Sequence, residues 1–158
     1  MNPLEYLFGL EFHGHKLGLD NIRVITDALG RPQDAYPSLI VAGTNGKGSV
    51  CSMLAAALAA AGHRTGCYTS PHLVDLNERY LVDGRPIPQD AIAAVIEELR
   101  GLVDDLGRHG RLRAVPTFFE IATATAFELF RRRGVAVAVL EVGLGGRLDA
   151  TNVASPPV

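Results

Sequence analysis

The chain has 158 residues, 47% of them hydrophobic and 20% charged, which is the size and apolar content of one ordinary globular domain. A formal net charge of -2 provides no bulk attraction for nucleic acid, and no apolar run is long enough to span a bilayer. Small molecules are therefore the expected partners, with no nucleic acid and no membrane, and an N-terminus lacking a charged head and apolar core makes the chain cytoplasmic by expectation.

Taken in chain order, NPLEYLFGLE predicts a short amphipathic helix. DNIRVITDALG, residues 20 to 30, predicts a second, with Asp20 as N-cap, Gly30 as stop, and Ile22, Ile25 and Leu29 on one apolar face. SLIVA, residues 38 to 42, is a short β-branched run that ends at a glycine. After the loop GTNGKGS, the stretch SVCSMLAAALAAAG, residues 49 to 62, predicts a helix closing on Gly62. RTGCYTS predicts a strand, and HLVDLNERYLVDGRPI a loop with one hairpin. DAIAAVIEELRGLVDDLG, residues 90 to 107, has the apolar and acidic faces of a helix. PTFFEIATATAFELFRRRG predicts a helix opened by Pro116 and closed by Gly134, and VAVAVLEV, residues 135 to 142, a buried parallel-type strand. Strands alternating with helices predict an α/β fold with a parallel sheet and flanking helices. The ending ATNVASPPV reads as the entry to a further strand, so the chain is expected to be part of a longer one.

The stretch VAGTNGKGSV, residues 41 to 50, sets one lysine, Lys47, among Gly43, Gly46 and Gly48. Between a strand and a helix, such a loop directs unpaired helix N–H groups and the positive dipole end at whatever it encloses, which favours an anion. Glycines let the amides come close, Lys47 supplies a point charge for phosphate, and the Ser49 hydroxyl can face Mg²⁺. The match to G-x-x-x-x-G-K-[ST] is imperfect, because Val41 stands where a glycine belongs and Gly48 separates Lys47 from Ser49. A flexible turn containing a lysine is the alternative.

In an open parallel sheet, ligands sit outside the carboxyl ends of the strands. The loops after residues 42, 68 and 142, reading GTNGKGS, TSPHLVDLNER and GLGGRLDATN, should therefore share one edge and one site. Glu141, at the end of an apolar strand, is costly to bury alone and needs a cation, either a metal or a neighbour such as Arg147. Cys51 and Cys67 lack metal or redox spacing and are expected to be buried and reduced. Arg131, Arg132 and Arg133 suit the dipole at a helix end. His13, His63 and His109 show no ligand spacing, and His72 could contact a ligand or simply sit in a turn.

Together GTNGKGS, SPHL, FFE and EVGLGGRLDATN resemble folylpolyglutamate synthase and dihydrofolate synthase, folate ligases of the Mur ligase superfamily, and the HKLGLDNI stretch is similar too. The likeness covers nearly the whole chain. It implies a P-loop NTPase-like, Mur ligase-type ATP-binding domain, truncated, with residues 1 to 158 forming part of it and a C-terminal glutamate ligase domain absent. It implies transfer of the γ-phosphate of ATP to a carboxylate of dihydropteroate or a folate, followed by attack of the L-glutamate amine on the acyl phosphate. A monomer is the expected state, and an ATP-binding fragment without catalysis is the alternative.

By that resemblance, Gly43, Thr44, Asn45, Gly46, Lys47, Gly48 and Ser49 hold ATP, with Lys47 acting in phosphoryl transfer. Ser70 and Glu141 hold Mg²⁺, and a histidine in a later L-D-H motif lies beyond the chain. His15, Lys16, Thr117, Phe118, Phe119, Glu120 and Arg147 lie near the folate substrate, with Arg147 pairing an anionic group. On their own, the two phenylalanines equally suit a core, and Glu120 a dipole-favoured surface position.

Overall fold

The structure, a computed structural model, describes residues 2–13 and 18–154. Five strands form one sheet in the order β1-β5-β2-β3-β4, with β1 at Ser38–Val41, β2 at Thr65–Tyr68, β3 at Tyr80–Val82, β4 at Arg85–Pro86 and β5 at Val137–Glu141. Strand β5 runs parallel to both β1 and β2, so the predicted parallel core is present. Strands β3 and β4 add an antiparallel edge and make the sheet mixed. The cause is local: Asp83 and Gly84 take φ of 51° and 73°, the conformation of a tight Asp-Gly hairpin turn. Asp83 also fixes that turn to β2, its Oδ1 accepting from the Thr65 amide at 2.8 Å.

Strand alternation divides the core. Cys67 and Val139 point to one face and pack with Cys51 of helix α3, Lys47–Ala60. Ala138, Leu140 and Tyr68 point to the other, beneath helices α1 (Pro3–Gly9), α2 (Asp20–Ala28), α4 (Gln89–Arg108) and α5 (Phe118–Arg132). Helix α5 is buried from Glu120 to Phe130, as befits a helix covered by both sheet and helices. Its Phe130 lies so close to β2 that a Cβ on Gly66 would stand 2.9 Å from the ring. Both cysteines are free and buried, and burial pushes Cys51 up to about 12 and Cys67 to about 11, so they are inert thiols at neutral pH.

Helix starts differ from expectation, α3 among them, which begins at Lys47 directly after Gly46 at φ 77° and not at Ser49. Leu19, not Asp20, occupies the cap of α2, and Asp20 is the first helical residue, where its charge still suits the dipole. Helix α5 is opened by Thr117 rather than Pro116, because Thr117 and Glu120 form a capping box: Thr117 Oγ1 accepts from the Glu120 amide at 3.2 Å, and Glu120 Oε2 accepts from the Thr117 amide at 2.8 Å. Among the described residues no helix is long and apolar enough to cross a membrane.

Candidate functional site

Register brings the three unusual loops together. Val41 is level with Glu141, and Tyr68 with Leu140, so the chain leaves β1, β2 and β5 along the same edge of the sheet. Glu141 joins all three loops: its Oε2 accepts from the Ser70 amide at 2.8 Å, and a Cβ on Gly48 would lie 3.8 Å from its Oε1.

In the first loop, Gly43 and Gly46 take φ of 152° and 77°, and Gly46 caps α3 without any side chain supplying a cap bond. The opening amides of Lys47, Gly48 and Ser49 are thus left to a ligand or water. Lys47 curls back over the loop, its Nζ donating to the Gly43 carbonyl at 3.0 Å. Thr44, Asn45 and Ser49 are exposed. Those features fit a phosphate cradle on an open edge.

Glu141 is only 5% exposed, yet among the described residues the Ser70 amide is its one hydrogen-bond donor and no cation pairs with it. The alternative ion pair with Arg147 is not formed. A buried carboxylate with a vacant oxygen beside a phosphate-type loop fits a hard cation. No group of three or more His, Cys, Asp or Glu converges among the described residues, so such a cation would have to be completed by hydroxyl and ligand oxygens. That is the manner in which Mg²⁺ is commonly held.

Beyond Ser70 opens a cavity of about 480 Å³, also lined by Thr117, Phe118, Phe119, Glu120 and Arg79. Phe118 is 9% exposed, stacks on Phe8 with ring centroids 6.0 Å apart, and lies under the Arg79 guanidinium at 5.1 Å. Phe119 packs against Tyr68 and against Gly143, where a Cβ would be 2.6 Å from its ring. Glu120 is buried in its capping box and is not the surface charge that was the alternative for it. Arg147 is exposed and outside the cavity lining, its carbonyl accepting from Asn152 Nδ2 at 2.9 Å. His15 and Lys16 lie outside the described residues.

Three residues matter here that their sequence context did not single out. Asp149 ties the loop after β5: Oδ2 accepts from the amides of Gly143 and Leu144, and Oδ1 from the amide and hydroxyl of Thr151. Glu78 does the same for the loop after β2, collecting the amides of Leu73, Val74 and Asp75. Arg79 follows it, 6% exposed, its Nε donating to His72 Nδ1 at 2.8 Å. Burial, then the Arg79 charge, holds His72 below the usual imidazole value. The only sequence signal for any of them was membership of an unusual loop.

No protein-family model matches the chain. It is 46% identical over 145 residues to the dihydrofolate synthase/folylpolyglutamate synthase of Mycobacterium tuberculosis, a match covering 89% of this chain and 30% of that protein. The folylpolyglutamate synthase of M. tuberculosis, complexed with ADP and AMPPCP, superposes with a TM-score of 0.88 at 41% identity, over 97% of this chain and 34% of the other. Escherichia coli FolC in complex with DHPP and ADP superposes with a TM-score of 0.83 at 39% identity, over 98% of this chain and 36% of the other. The chain spans about a third or less of the length of the curated relatives it matches.

Proposed function

Since this chain is a homologue, over nearly its whole length, of part of the dihydrofolate synthases and folylpolyglutamate synthases, we propose that it forms the ATP- and acid-binding portion of a glutamate ligase. The reaction is ATP-dependent addition of L-glutamate to dihydropteroate or a folate. In it the substrate carboxylate attacks the γ-phosphorus, ADP departs, and the resulting acyl phosphate is opened by the glutamate amine, which releases phosphate and leaves an amide.

Phosphoryl transfer depends mainly on positioning and charge neutralisation. Gly43, Thr44, Asn45, Gly46, Gly48 and Ser49 are assigned to the polyphosphate through loop and helix amides, and Lys47 to the charge that develops on it. Leaving the Gly43 carbonyl costs Lys47 one exposed hydrogen bond, an obstacle of about 1 kcal/mol. Glu141 and Ser70 are assigned to Mg²⁺, which would supply neutralisation of phosphate charge. Phe118 and Phe119, held by the Thr117–Glu120 capping box, form the aromatic wall for a flat ring system. The observation that carries the proposal is Glu141: a buried, uncompensated carboxylate where three ligand-type loops meet.

These 158 residues span about a third of the ligases they resemble, so by themselves they are expected to bind ligands without turning them over. Isothermal titration with a nonhydrolysable ATP analogue, with and without Mg²⁺, tests the proposal. Lys47→Ala should weaken binding by about tenfold or more, and Glu141→Ala should abolish the dependence on Mg²⁺. A folded wild-type chain that ignores the nucleotide would overturn it.

A further inference from the structure

Among the described residues, the cavity lining holds one cation, Arg79, that the phosphate and metal assignments leave unused. It is 6% exposed, and among the described residues no carboxylate lies within ion-pair distance of it. Its partners are weak substitutes for a counter-charge: the neutral acceptor His72 Nδ1 at Nε, the face of Phe118, and the neutral Tyr68 hydroxyl, which burial pushes up to about 12 against the opposing charge of Arg79. Nearly complete burial of a guanidinium without an anion is unfavourable unless an anion arrives.

The acidic groups around the cavity are occupied elsewhere. Asp149 accepts four hydrogen bonds within its own loop, and Glu120 is committed to the start of α5. Glu11 also lines the cavity but is exposed at its rim. Among the described residues, no acidic group takes the side of the arginine that His72, Phe118 and Tyr68 leave open.

Its position gives the ligand an orientation. The Thr69 amide donates to the Arg79 carbonyl at 3.2 Å, and the next residue, Ser70, donates its amide to Glu141. Arg79 thus stands between the aromatic wall and the corner assigned to phosphate. We propose that Arg79 receives the carboxylate of a planar aromatic acid in this cavity and presents it to the phosphate corner, with His72 fixing the guanidinium through Nε. This deepens the ligase proposal and rests on it for the identity of the acid. A guanidinium held at Nε turns its planar Nη end, where the neutral Tyr68 hydroxyl is the other partner, toward a carboxylate, a fork geometry that lysine cannot reproduce.

The test is binding of pteroate and of pteroate methyl ester to the wild-type chain, Arg79→Gln and Arg79→Lys, with thermal melts to confirm folding. Wild type should bind the acid about tenfold or more tighter than the ester, and Arg79→Gln should bring that ratio close to one while ester affinity stays within about twofold. Equal weakening of acid and ester, or an undiminished ratio, overturns the proposal. If Arg79→Gln does not fold, Arg79→Lys decides: a ratio reduced several-fold with ester binding kept supports it, and an unchanged ratio overturns it.

4-Aminobenzoate and its methyl ester separate the two proposals. A chain indifferent to pteroate and its ester that still prefers 4-aminobenzoate to its ester in an Arg79-dependent way keeps the role of Arg79 and removes the folate assignment. Pteroate binding that does not notice Arg79→Gln does the reverse. A folded wild-type chain that binds neither acid overturns the role of Arg79.

Discussion

Two buried glutamates, Glu128 in helix α5 and Glu141 at the end of strand β5, are 2% and 5% exposed and meet opposite fates. Glu128 is gripped by Arg131 and Arg132 one turn further on, and Arg132 continues to Glu98. Burial pushes Glu128 upward, but the hydrogen bonds and charges of the two arginines outweigh it and hold the carboxyl below its ordinary value. Glu141 has one backbone amide and no cation among the described residues. The first is a finished structural network. The second has no counter-charge among the described residues, and the proposed Mg²⁺ role accounts for that difference between a residue used by the fold and one used by a ligand.

Neutralising each carboxylate in turn probes that contrast most strongly. Glu128→Gln strands two arginines that are still 46% and 39% exposed, so the loss should be about 2–3 kcal/mol in urea unfolding, below the range for wholly buried pairs. Glu141→Gln should change stability by less than about 1 kcal/mol and carry its effect into Mg²⁺-dependent nucleotide binding instead. The sign with pH is fixed too. Since Glu128 has a lowered folded pKa, its contribution is complete above the ordinary glutamate value of 4.5 and is lost as pH falls through the folded one, so the gap between wild type and Glu128→Gln should close in acid. An equal stability loss for Glu141→Gln would erase the distinction.

A second pair sharpens it sterically. Gly66 and Gly143 both lie against phenylalanines, with a new Cβ 2.9 Å from the Phe130 ring in one case and 2.6 Å from the Phe119 ring in the other. Phe130 is fully buried and has nowhere to move, so Gly66→Ala should cost about 1–3 kcal/mol by overpacking. Phe119 borders the cavity and can swing into it, so Gly143→Ala should lower stability by less, about 1 kcal/mol, and weaken pteroate binding. Chemical denaturation beside a ligand titration reads both effects. A Gly143→Ala protein that binds pteroate as wild type does would remove Phe119 from the binding wall.

The same contrast explains what could be read from the sequence. The sheet edge was legible because apolar strands ending in glycine-rich loops leave a strong local pattern, and Glu141 stood out as a charge in an apolar run. Helix α5 was legible in extent, but its start was not, because the Thr117–Glu120 reciprocal bonds override the proline as punctuation. Arg147 attracted attention through its place in the glycine-rich string, yet the fold leaves it exposed. Arg79, marked in the sequence only by membership of the loop TSPHLVDLNER, is carried inward because Glu78 gathers three loop amides and the Leu76–Arg79 turn feeds strand β3. Such placement depends on contacts between residues far apart in the chain, which no local pattern records.

The smallest expected effect isolates what makes the α5 network different. Helix α4 ends with Arg108 beside Asp105, the same i,i+3 spacing as Arg131 and Glu128, at 3.2 Å. There the arginine and aspartate are 74% and 53% exposed, whereas the Glu128 side chain is 3% exposed. Water already solvates both members of the α4 pair, so Arg108→Ala should shift stability by less than about 0.5 kcal/mol, and added salt should shrink even that. Arg132→Ala leaves part of a buried carboxylate uncompensated and should cost about 1–2 kcal/mol with little response to salt. Should the two substitutions prove equal, helix spacing and not burial would set the strength of these pairs, and the uncompensated burial of Glu141 would lose its force as the mark of a ligand site.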